Sequence, residues 1–318
     1  MSEKMNNLRI IFMGTPRLSA EILRSLLDAN YDIVGVFTQP DKRVGRKQSI
    51  EKSPVKILAE ENAVPVFTPT RLDEIAIEKI RELKPDLIIL IAYGKILPQA
   101  VLELPRFGAI NIHPSLLPKF RGPSPIQNTL LNGEKTTGTT IMKMDPGIDT
   151  GDMLAQEKTN IDTDDTYVEL EQKLLNLSAK LLLNILPQWV NGEIAPQKQD
   201  NSEASYCQMI NGNDGKINWN DSTGTIYNKY KAFIVWPGIF THWTQKDKTR
   251  RIKLNAINIG VGDEKHPVGK VFLDDKDVAV QAKDGKIILK MVQLEGKPTT
   301  TAKDFINGHP NFLDSILN

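Results

Sequence analysis

The run Leu87-Ile-Ile-Leu-Ile-Ala92 constrains the fold more than any other part of the chain. It is continuously apolar and has the length of one strand, so it predicts a strand that is covered on both faces. The chain opens on another apolar strand, Leu8 to Met13, followed by a helix over Ala20 to Asn30 and a strand over Ile33 to Phe37. This β-α-β order predicts the start of a parallel sheet, and therefore an α/β domain.

The glycine that ends the first strand raises the question of a nucleotide site. Of the dinucleotide-binding pattern G-x-G-x-x-G, only Gly14 is present at this turn, and the phosphate-binding pattern G-x-x-x-x-G-K-[ST] is absent from the chain. Both patterns need their glycines because the backbone approaches the phosphates closely. The sequence therefore argues against a nucleotide cofactor at this position.

The chain changes character near Ile194. Residues 194–208 are polar and predict a linker between a domain of residues 1–193 and a domain of residues 209–318. Beyond the linker, short strands separated by glycines and charged turns predict a small β-barrel of the OB type. The overall net charge is only +1, but residues 209–318 hold 16 Lys and Arg against 12 Asp and Glu. This local excess is compatible with an anionic partner of the C-terminal domain.

Cysteine usage and hydropathy indicate where the protein resides. Cys207 is the only cysteine, so the chain cannot form an internal disulfide. No apolar run approaches the ~20 residues of a membrane span, and the polar N-terminus does not resemble a signal peptide. We therefore expect a cytoplasmic protein without a membrane partner. The four histidines are widely separated and lack a cysteine cluster, so we expect no metal site.

A basic segment, residues 38–56, follows the second strand. It holds six basic and two acidic residues, and Pro40, Gly45 and Pro54 discourage regular structure. A loop of this length inside a domain is usually functional or disordered. Two interpretations stay open at this point: a solvated, mobile surface loop, or a basic arm that grips phosphates.

The strand predicted over Ala109 to His113 ends in two polar side chains. Asn111 and His113 are two residues apart and therefore face the same side of a strand. A polar loop, Asp145 to Asp152, follows a predicted strand that could lie beside this one. An amide and an imidazole can donate hydrogen bonds to a developing oxyanion, and a carboxylate can accept a proton. No serine or cysteine nucleophile fits this site by spacing, so the set predicts direct acyl transfer to an amine.

Two motifs in this region resemble the folate-dependent formyltransferases. They are Asn111-Ile-His-Pro-Ser-Leu-Leu-Pro-Lys-Phe-Arg-Gly122 and Asp145-x-Gly-x-Asp-Thr-Gly-Asp152. Further stretches resemble the members of this family that formylate methionyl-tRNA, so that the resemblance covers essentially the whole chain. These stretches are Phe12–Pro16, Thr38–Asp41, Gly45-Arg46, Ser53–Lys56, Ala92–Gly94, Trp236–Gly238, Gln293–Lys297 and Asn307–His309.

The resemblance implies a fold and a reaction. The fold is a Rossmann-like N-terminal formyltransferase domain followed by a C-terminal OB-like β-barrel domain that binds tRNA. The reaction transfers the formyl group of the co-substrate 10-formyltetrahydrofolate to the α-amine of initiator methionyl-tRNA, giving N-formylmethionyl-tRNA for translation initiation. We expect a monomer that binds no DNA.

The resemblance also implies roles for individual residues. The catalytic residues are Asn111, His113 and Asp149. The residues that line the folate site are Tyr93, Ile96, Leu97, Ser115, Leu116, Leu117 and Pro118. The residues that contact tRNA are Lys42, Arg43, Arg46 and Lys47.

Other activities are compatible with the same catalytic residues. A formyltransferase for sugar-nucleotide amines shares them and has a C-terminal extension, a purine-pathway formyltransferase shares them but lacks the barrel, and a formyltetrahydrofolate hydrolase uses water as its acceptor. The basic segment favours a tRNA enzyme among these. A non-catalytic RNA-binding protein with a relic enzyme domain is the alternative from another class, and the presence of all three catalytic residues argues against it.

Overall fold

The computed structural model describes residues 8–44, 48–261 and 266–318. Its contacts divide the chain into two units. The first unit contains residues 8–125, 136–160 and 171–208, and the second contains residues 126–135, 161–170 and 209–318. The segment predicted as a linker, residues 194–208, falls within the first unit by its contacts.

Nine strands lie in the described residues of the first unit. They are β1 (Arg9–Gly14), β2 (Asp32–Phe37), β3 (Lys42–Val44), β4 (Ser49–Glu51), β5 (Val66–Phe67), β6 (Leu87–Ile91), β7 (Ala109–His113), β8 (Thr136–Lys143) and β9 (Met153–Asn160). Seven of them form one sheet in the order β5-β2-β1-β6-β7-β8-β9. The strands from β5 to β7 are parallel, whereas β8 and β9 run antiparallel to their neighbours. The predicted α/β domain is confirmed, with an antiparallel edge added to its parallel sheet.

Helices cover both faces of this sheet. They are α1 (Arg17–Asp28), α2 (Pro54–Glu61), α3 (Glu74–Glu82), α4 (Gln99–Leu102) and α6 (Tyr167–Val190), whereas α5 (Pro125–Leu131) belongs by its contacts almost entirely to the second unit. Leu87, Ile89 and Ile91 of β6 pack in an apolar cluster with α1, α2 and α6. Ile88 and Leu90 pack in a second cluster with α3 and α4. Because successive side chains of a strand point to opposite faces, both faces of β6 are buried, and this explains why the run carries no polar residue.

The basic segment contains a short hairpin. Strands β3 and β4 pair antiparallel, with Lys42 opposite Glu51 and Arg43 opposite Ile50. The prediction that this segment lacks regular structure is therefore wrong for these residues. Pro40 and Pro54, which suggested a loop, lie outside the two strands and do not interrupt the ladder, and Gly45 lies outside the described residues.

The second unit is built on an antiparallel sheet. Its strands are β10 (Phe240–Gln245), β11 (Lys248–Gly260), β12 (Val271–Asp274), β13 (Asp277–Gln281), β14 (Lys286–Leu294) and β15 (Thr300–Thr301), and its helices include α7 (Thr223–Phe233) and α8 (Ala302–Gly308). The order is β10-β11-β14-β13-β12, and β15 pairs with β14. Among the described strands no ladder joins β12 to β10, so the sheet is a half-barrel. The prediction of a C-terminal β-barrel domain is confirmed, and the barrel is an open half-barrel.

No helix within the described ranges combines the length and the apolar character needed to cross a bilayer.

Candidate active site

The carboxyl end of β7 presents the two polar side chains that its sequence spacing predicted. Asn111 is half-buried, and His113 is buried with 4% of its surface exposed. The apolar residues between and beside them, Ile110 and Ile112, point to the other face and pack in the cluster beneath α1, α2 and α6. Because successive side chains of a strand point to opposite faces, β7 places Ile110 and Ile112 in the core and Asn111 and His113 at the site.

The loop that follows β8 returns to this strand end. Its two ends meet, because the Lys143 N–H donates to the Asp152 carbonyl at 2.8 Å. Within the loop, the Thr150 hydroxyl donates to the Asp145 carboxylate at 2.7 Å. Gly151 is required where the chain crosses itself, since a Cβ there would lie 1.8 Å from the Lys143 carbonyl oxygen. These contacts explain the Asp145, Thr150 and Gly151 positions of the second sequence motif.

The structure brings the three predicted catalytic residues together. The Asn111 Nδ2 atom lies 3.5 Å from Asp149 Oδ1. The His113 Nδ1 atom lies 3.6 Å from Asp149 Oδ2. Asp149 thus stands between the amide and the imidazole.

Each member of the His113–Asp149 pair has a backbone partner in the turn after β7. The other ring nitrogen, His113 Nε2, donates to the Phe120 carbonyl at 2.9 Å. The Gly122 N–H donates to Asp149 Oδ2 at 2.8 Å. Both nitrogens of the imidazole therefore face oxygen atoms, one of the Asp149 carboxylate and one of the Phe120 carbonyl. Sequence reasoning included Gly122 in a motif but did not identify its amide as a partner of Asp149.

The single thiol lies close to this site without the properties of a nucleophile. Cys207 is buried, with 7% of its surface exposed. Burial, and secondly the negative charge of Asp149, raise the pKa of Cys207 to about 12. The thiolate is the nucleophilic form of cysteine, and the raised pKa keeps the Cys207 thiol neutral near pH 7.

Four of the residues predicted to line the folate site form a turn anchored on the antiparallel edge of the sheet. Ser115 is fully buried, and its hydroxyl donates to the Lys119 carbonyl at 2.7 Å. The Leu117 N–H donates to the Thr140 hydroxyl at 3.1 Å. Leu117 is buried, whereas Leu116 and Pro118 are half-buried. Leu116 and Pro118 thus keep some exposed apolar surface, while the Ser115 side chain is used within the turn.

The other three predicted folate residues follow β6. Tyr93 and Leu97 are buried in the cluster beneath α3 and α4. Ile96 between them is 79% exposed. A cleft of about 550 Å³ is lined by residues of α4 and of the segment between α4 and β7, and by both ends of the loop after β8, including Leu102, Met144 and Gly151. The seven predicted folate residues do not line that cleft.

The residues predicted to contact tRNA are only partly within the described ranges. Lys42 and Arg43 are exposed on β3, and neither has a carboxylate partner among the described residues. Arg46 and Lys47 lie outside the described residues. Lys52 and Lys56, the remaining basic residues of the segment, form ion pairs with Glu60 at 2.7 Å and with Asp41 at 2.8 Å.

The second unit carries a cationic cavity that the sequence did not reveal. It has a volume of about 390 Å³ and is lined by Asn213, Lys216, Phe240, His242, Thr249, Arg251 and Glu295. The Arg251 guanidinium lies 3.5 Å from the centre of the Phe240 ring. Burial, and then the charges of Lys216 and Arg251, lower the pKa of His242. In the described part of the chain, neither Lys216 nor Arg251 forms an ion pair, and because Glu295 is the one carboxylate of the lining, the cavity carries a net positive charge.

Comparisons with known proteins agree with these features. The profile of a family described as Formyl transferase matches residues 8–186, and that of the Formyl transferase, C-terminal domain matches residues 209–310. The chain is 42% identical over 314 residues to the methionyl-tRNA formyltransferase of Caldicellulosiruptor saccharolyticus, covering 97% of this chain and 99% of that protein. It is 43% identical over 305 residues to the methionyl-tRNA formyltransferase of Nitratiruptor sp., covering 95% and 97%.

Solved structures show the same fold at lower identity. The N-formyltransferase from Helicobacter canadensis, in complex with folinic acid and dTDP-3-aminofucose, superposes with a TM-score of 0.65 at 24% identity, covering 88% of this chain and 98% of that one. HypX from Aquifex aeolicus, in complex with tetrahydrofolic acid, gives a TM-score of 0.65 at 17% identity, covering 96% of this chain and 48% of that one. These structures support the fold, and the full-length relatives identify the branch. The chain therefore belongs to the formyl transferase family and, within it, to the methionyl-tRNA formyltransferases.

Proposed function

We propose that this protein transfers the formyl group of 10-formyltetrahydrofolate to the α-amine of methionine carried by initiator tRNA. The observation that carries the proposal is the position of the Asp149 carboxylate between Asn111 Nδ2 at 3.5 Å and His113 Nδ1 at 3.6 Å. Two donors and one proton acceptor in one place match the needs of acyl transfer to an amine. Family membership supplies the identity of the acyl group and of the acceptor.

The proposed mechanism is a direct displacement without a covalent enzyme intermediate. The neutral α-amine attacks the formyl carbon, and a bond forms between nitrogen and carbon. Asn111 and His113 stabilise the oxyanion of the tetrahedral intermediate by hydrogen bonding. The bond from carbon to N10 of the folate then breaks, and the amine proton passes to N10 through Asp149 or an intervening water. The products are N-formylmethionyl-tRNA and tetrahydrofolate.

Folate binding is assigned to the two groups of residues that flank this site. We assign the pterin and its linker to the exposed surfaces of Ile96, Leu116 and Pro118, with the buried Tyr93, Leu97, Ser115 and Leu117 supporting them. Apolar walls with a few polar groups are the usual composition of such sites. Buried supporting residues fix the walls without contacting the ligand.

Binding of tRNA is assigned to cations that have no carboxylate partner within the described ranges. In the first unit these are Lys42 and Arg43, to which we add Arg46 and Lys47 of the same segment from the sequence. In the second unit they are Lys216 and Arg251. Unpaired Lys and Arg side chains can neutralise phosphates and release their counterions, which makes binding dependent on salt.

One acceptor experiment tests the proposed function. The protein is incubated with 10-formyltetrahydrofolate and either initiator methionyl-tRNA, an amino-sugar nucleotide, or water alone. We expect formylation of methionyl-tRNA and release of tetrahydrofolate only in that reaction. Formylation of the amino sugar, release of formate in water, or tRNA binding without transfer would each overturn the proposal in favour of a different activity.

We further propose that the protein acts in the cytoplasm as a monomer with a catalytic domain of residues 1–193, a linker of residues 194–208 and a tRNA-binding domain of residues 209–318. Light scattering with and without tRNA tests the oligomeric state, since a dimer would double the measured mass.

A further inference from the structure

Residues 205–207 pair with residues 120–121 of the turn that follows β7. The Arg121 N–H donates to the Ser205 carbonyl at 2.8 Å, and the Cys207 N–H donates to the Arg121 carbonyl at 2.6 Å. The Phe120 N–H donates to the Ser205 hydroxyl at 2.9 Å. Because Phe120 and Gly122 are the backbone partners of His113 and Asp149, this pairing holds the turn that positions both.

The arginine inside this turn is buried among neutral acceptors. Only 1% of the Arg121 surface is exposed. Its Nε and Nη2 atoms donate to Gln199 Oε1 at 3.0 and 2.7 Å. Further donations reach the Asn201 amide oxygen at 2.9 Å and the Tyr206 hydroxyl at 3.2 Å. Since a guanidinium can only donate, it fixes which end of the Gln199 amide faces it.

The other end of that amide reaches the loop of Asp149. Gln199 is 9% exposed, and its Nε2 atom donates to the Asp149 carbonyl at 2.9 Å and to the Gly151 carbonyl at 2.7 Å. Asp149 has φ +52°, in the left-handed region that is unfavourable for residues other than glycine. The two hydrogen bonds from Gln199 therefore stabilise a backbone conformation of Asp149 that is unfavourable without them.

We propose that Gln199, oriented by Arg121, is a positioning residue for formyl transfer, which holds the Asp149 carboxylate between Asn111 and His113. The kinetic test of this inference rests on the proposed function, whereas the NMR test does not. Gln199 acts through the Asp149 backbone and has no role in contacting either substrate. A misplacement of a reacting group by about 1 Å can cost about 10²-fold in rate, so loss of this contact should appear in kcat.

The variant Gln199→Glu isolates the contact to the loop. A glutamate keeps the volume and forms an ion pair with Arg121, so the buried guanidinium retains its main partner. Its carboxylate cannot donate to the two carbonyls, and it places negative charge against them. We expect kcat to fall on the order of 10²-fold with little change in KM for either substrate. Gln199→Met, which loses both contacts without adding charge, is expected to lower kcat in the same way.

A matched control exists in the second unit. Gln281 is 5% exposed, and its Nε2 atom donates to the carbonyls of Ala282 and Gly285, each at 2.9 Å. Gln281→Glu therefore loses two donations of the same kind from an equally buried amide. We expect a comparable loss of thermal stability from both glutamate variants but an unchanged kcat from Gln281→Glu.

A spectroscopic measurement tests the positioning without any substrate. The chain has four histidines, so ¹⁵N-histidine NMR resolves the imidazole of His113, assigned from the spectrum of His113→Asn. We expect Gln199→Glu and Gln199→Met to shift the His113 ring signals and Gln281→Glu to leave them in place. Unshifted His113 signals in both Gln199 variants, or a kcat that falls only in proportion to the unfolded fraction, would overturn the inference. If the unmutated protein fails to formylate methionyl-tRNA, the proposed function fails, but the NMR result still decides the role of Gln199.

Discussion

Among the three proposed catalytic residues, Asp149 has more hydrogen bonds holding it in place, apart from strand pairing, than Asn111 or His113. Its carboxylate accepts the Gly122 N–H at 2.8 Å, and its carbonyl accepts Gln199 Nε2 at 2.9 Å. Asn111 and His113, in contrast, take their positions from the regular backbone of β7. A loop residue with positive φ needs such support, because neither strand nor helix geometry fixes its direction.

Asn111 provides the simplest test of oxyanion stabilisation. We expect Asn111→Ala to lower kcat for formylation by ~10²–10³-fold, the usual cost of removing one oxyanion donor. Asn62→Ala, at the end of α2, serves as the control and should retain normal kcat. Steady-state kinetics with methionyl-tRNA provides the measurement, and near-normal turnover of Asn111→Ala would contradict the proposed mechanism.

Gly122 tests the backbone partner of Asp149. It has φ +106°, and a Cβ there would lie 2.8 Å from the Cys207 carbonyl oxygen. Gly122→Ala should therefore push the turn away from Cys207 and withdraw the N–H from the Asp149 carboxylate. We expect it to lower both the melting temperature, measured by thermal unfolding, and kcat.

Gly192 is the matched control for this substitution. It has φ +75°, and a Cβ there would have no atom within 4 Å, so Gly192→Ala meets only the cost of a left-handed backbone, about 1–2 kcal/mol. We expect it to lower the free energy of unfolding by that amount and to leave kcat unchanged. Equal effects of the two alanine variants on kcat and stability would show that the clash at Gly122 is unimportant.

The hairpin of β3 and β4 shows how an element can present charge. Cross-strand pairing places Arg43 opposite Ile50 and Lys42 opposite Glu51. All four of these side chains are exposed. A paired backbone limits the conformations of the strands and so reduces the entropy lost when their side chains contact a ligand. This favours the interpretation of the basic segment as a phosphate-binding arm.

Arg43 tests that interpretation. We expect Arg43→Ala to weaken binding of methionyl-tRNA and to reduce the slope of log K against log salt concentration by roughly 0.7–0.9, the range for one phosphate contact on single-stranded and duplex nucleic acid. Lys52→Ala is the control. Lys52 is paired with Glu60 at 2.7 Å, so we expect this variant to leave the slope nearly unchanged. Titrations at several salt concentrations measure both, and an unchanged slope for Arg43→Ala would place this residue outside the RNA contact.

At the scale of the whole molecule, each unit has its own sheet and its own cationic surface. The first unit combines the catalytic set with the basic hairpin, and the second combines a half-barrel with the Lys216 and Arg251 cavity. The two family profiles match these parts of the chain separately, over residues 8–186 and 209–310. The residues proposed for catalysis and the Lys216 and Arg251 proposed for RNA binding are thus built on different sheets.

Global stability should depend on pH through Tyr93. Its hydroxyl is buried and has no hydrogen-bond partner among the described residues. Burial raises the pKa of Tyr93 from 10.0 to about 12. Between these values the unfolded chain loses the phenolic proton while the folded protein keeps it, so the free energy of unfolding falls as pH rises through this window.

The variant Tyr93→Phe removes this dependence. We expect it to unfold less readily than the unmutated protein between pH 10 and pH 12, with the difference growing as pH increases. Urea titrations across this range measure the effect. Parallel stability curves for the two proteins would show that Tyr93 does not titrate on unfolding.

The sequence by itself determined the features that depend on local pattern. The apolar run of β6 predicted a strand covered on both faces, and the two-residue spacing of Asn111 and His113 predicted a shared face on β7. Such inferences succeed because strand geometry repeats every two residues regardless of tertiary contacts. Asp149, in contrast, was assigned only by resemblance, since several carboxylates of its loop satisfied the same chemical requirement.

The tertiary structure decided how the catalytic loop is held. The hairpin in the basic segment and helix α8 were not predicted because each is short, although Thr301 and Asp304 form a helix-start pattern at α8. Gln199 lies 50 residues from Asp149 in sequence, within a stretch whose polarity predicted only a linker. Neither residue type nor spacing indicates that its amide would join a buried arginine to a strained loop. That role exists only because the folded chain brings residues 121, 149 and 199 together, where each hydrogen bond fixes the direction of the next.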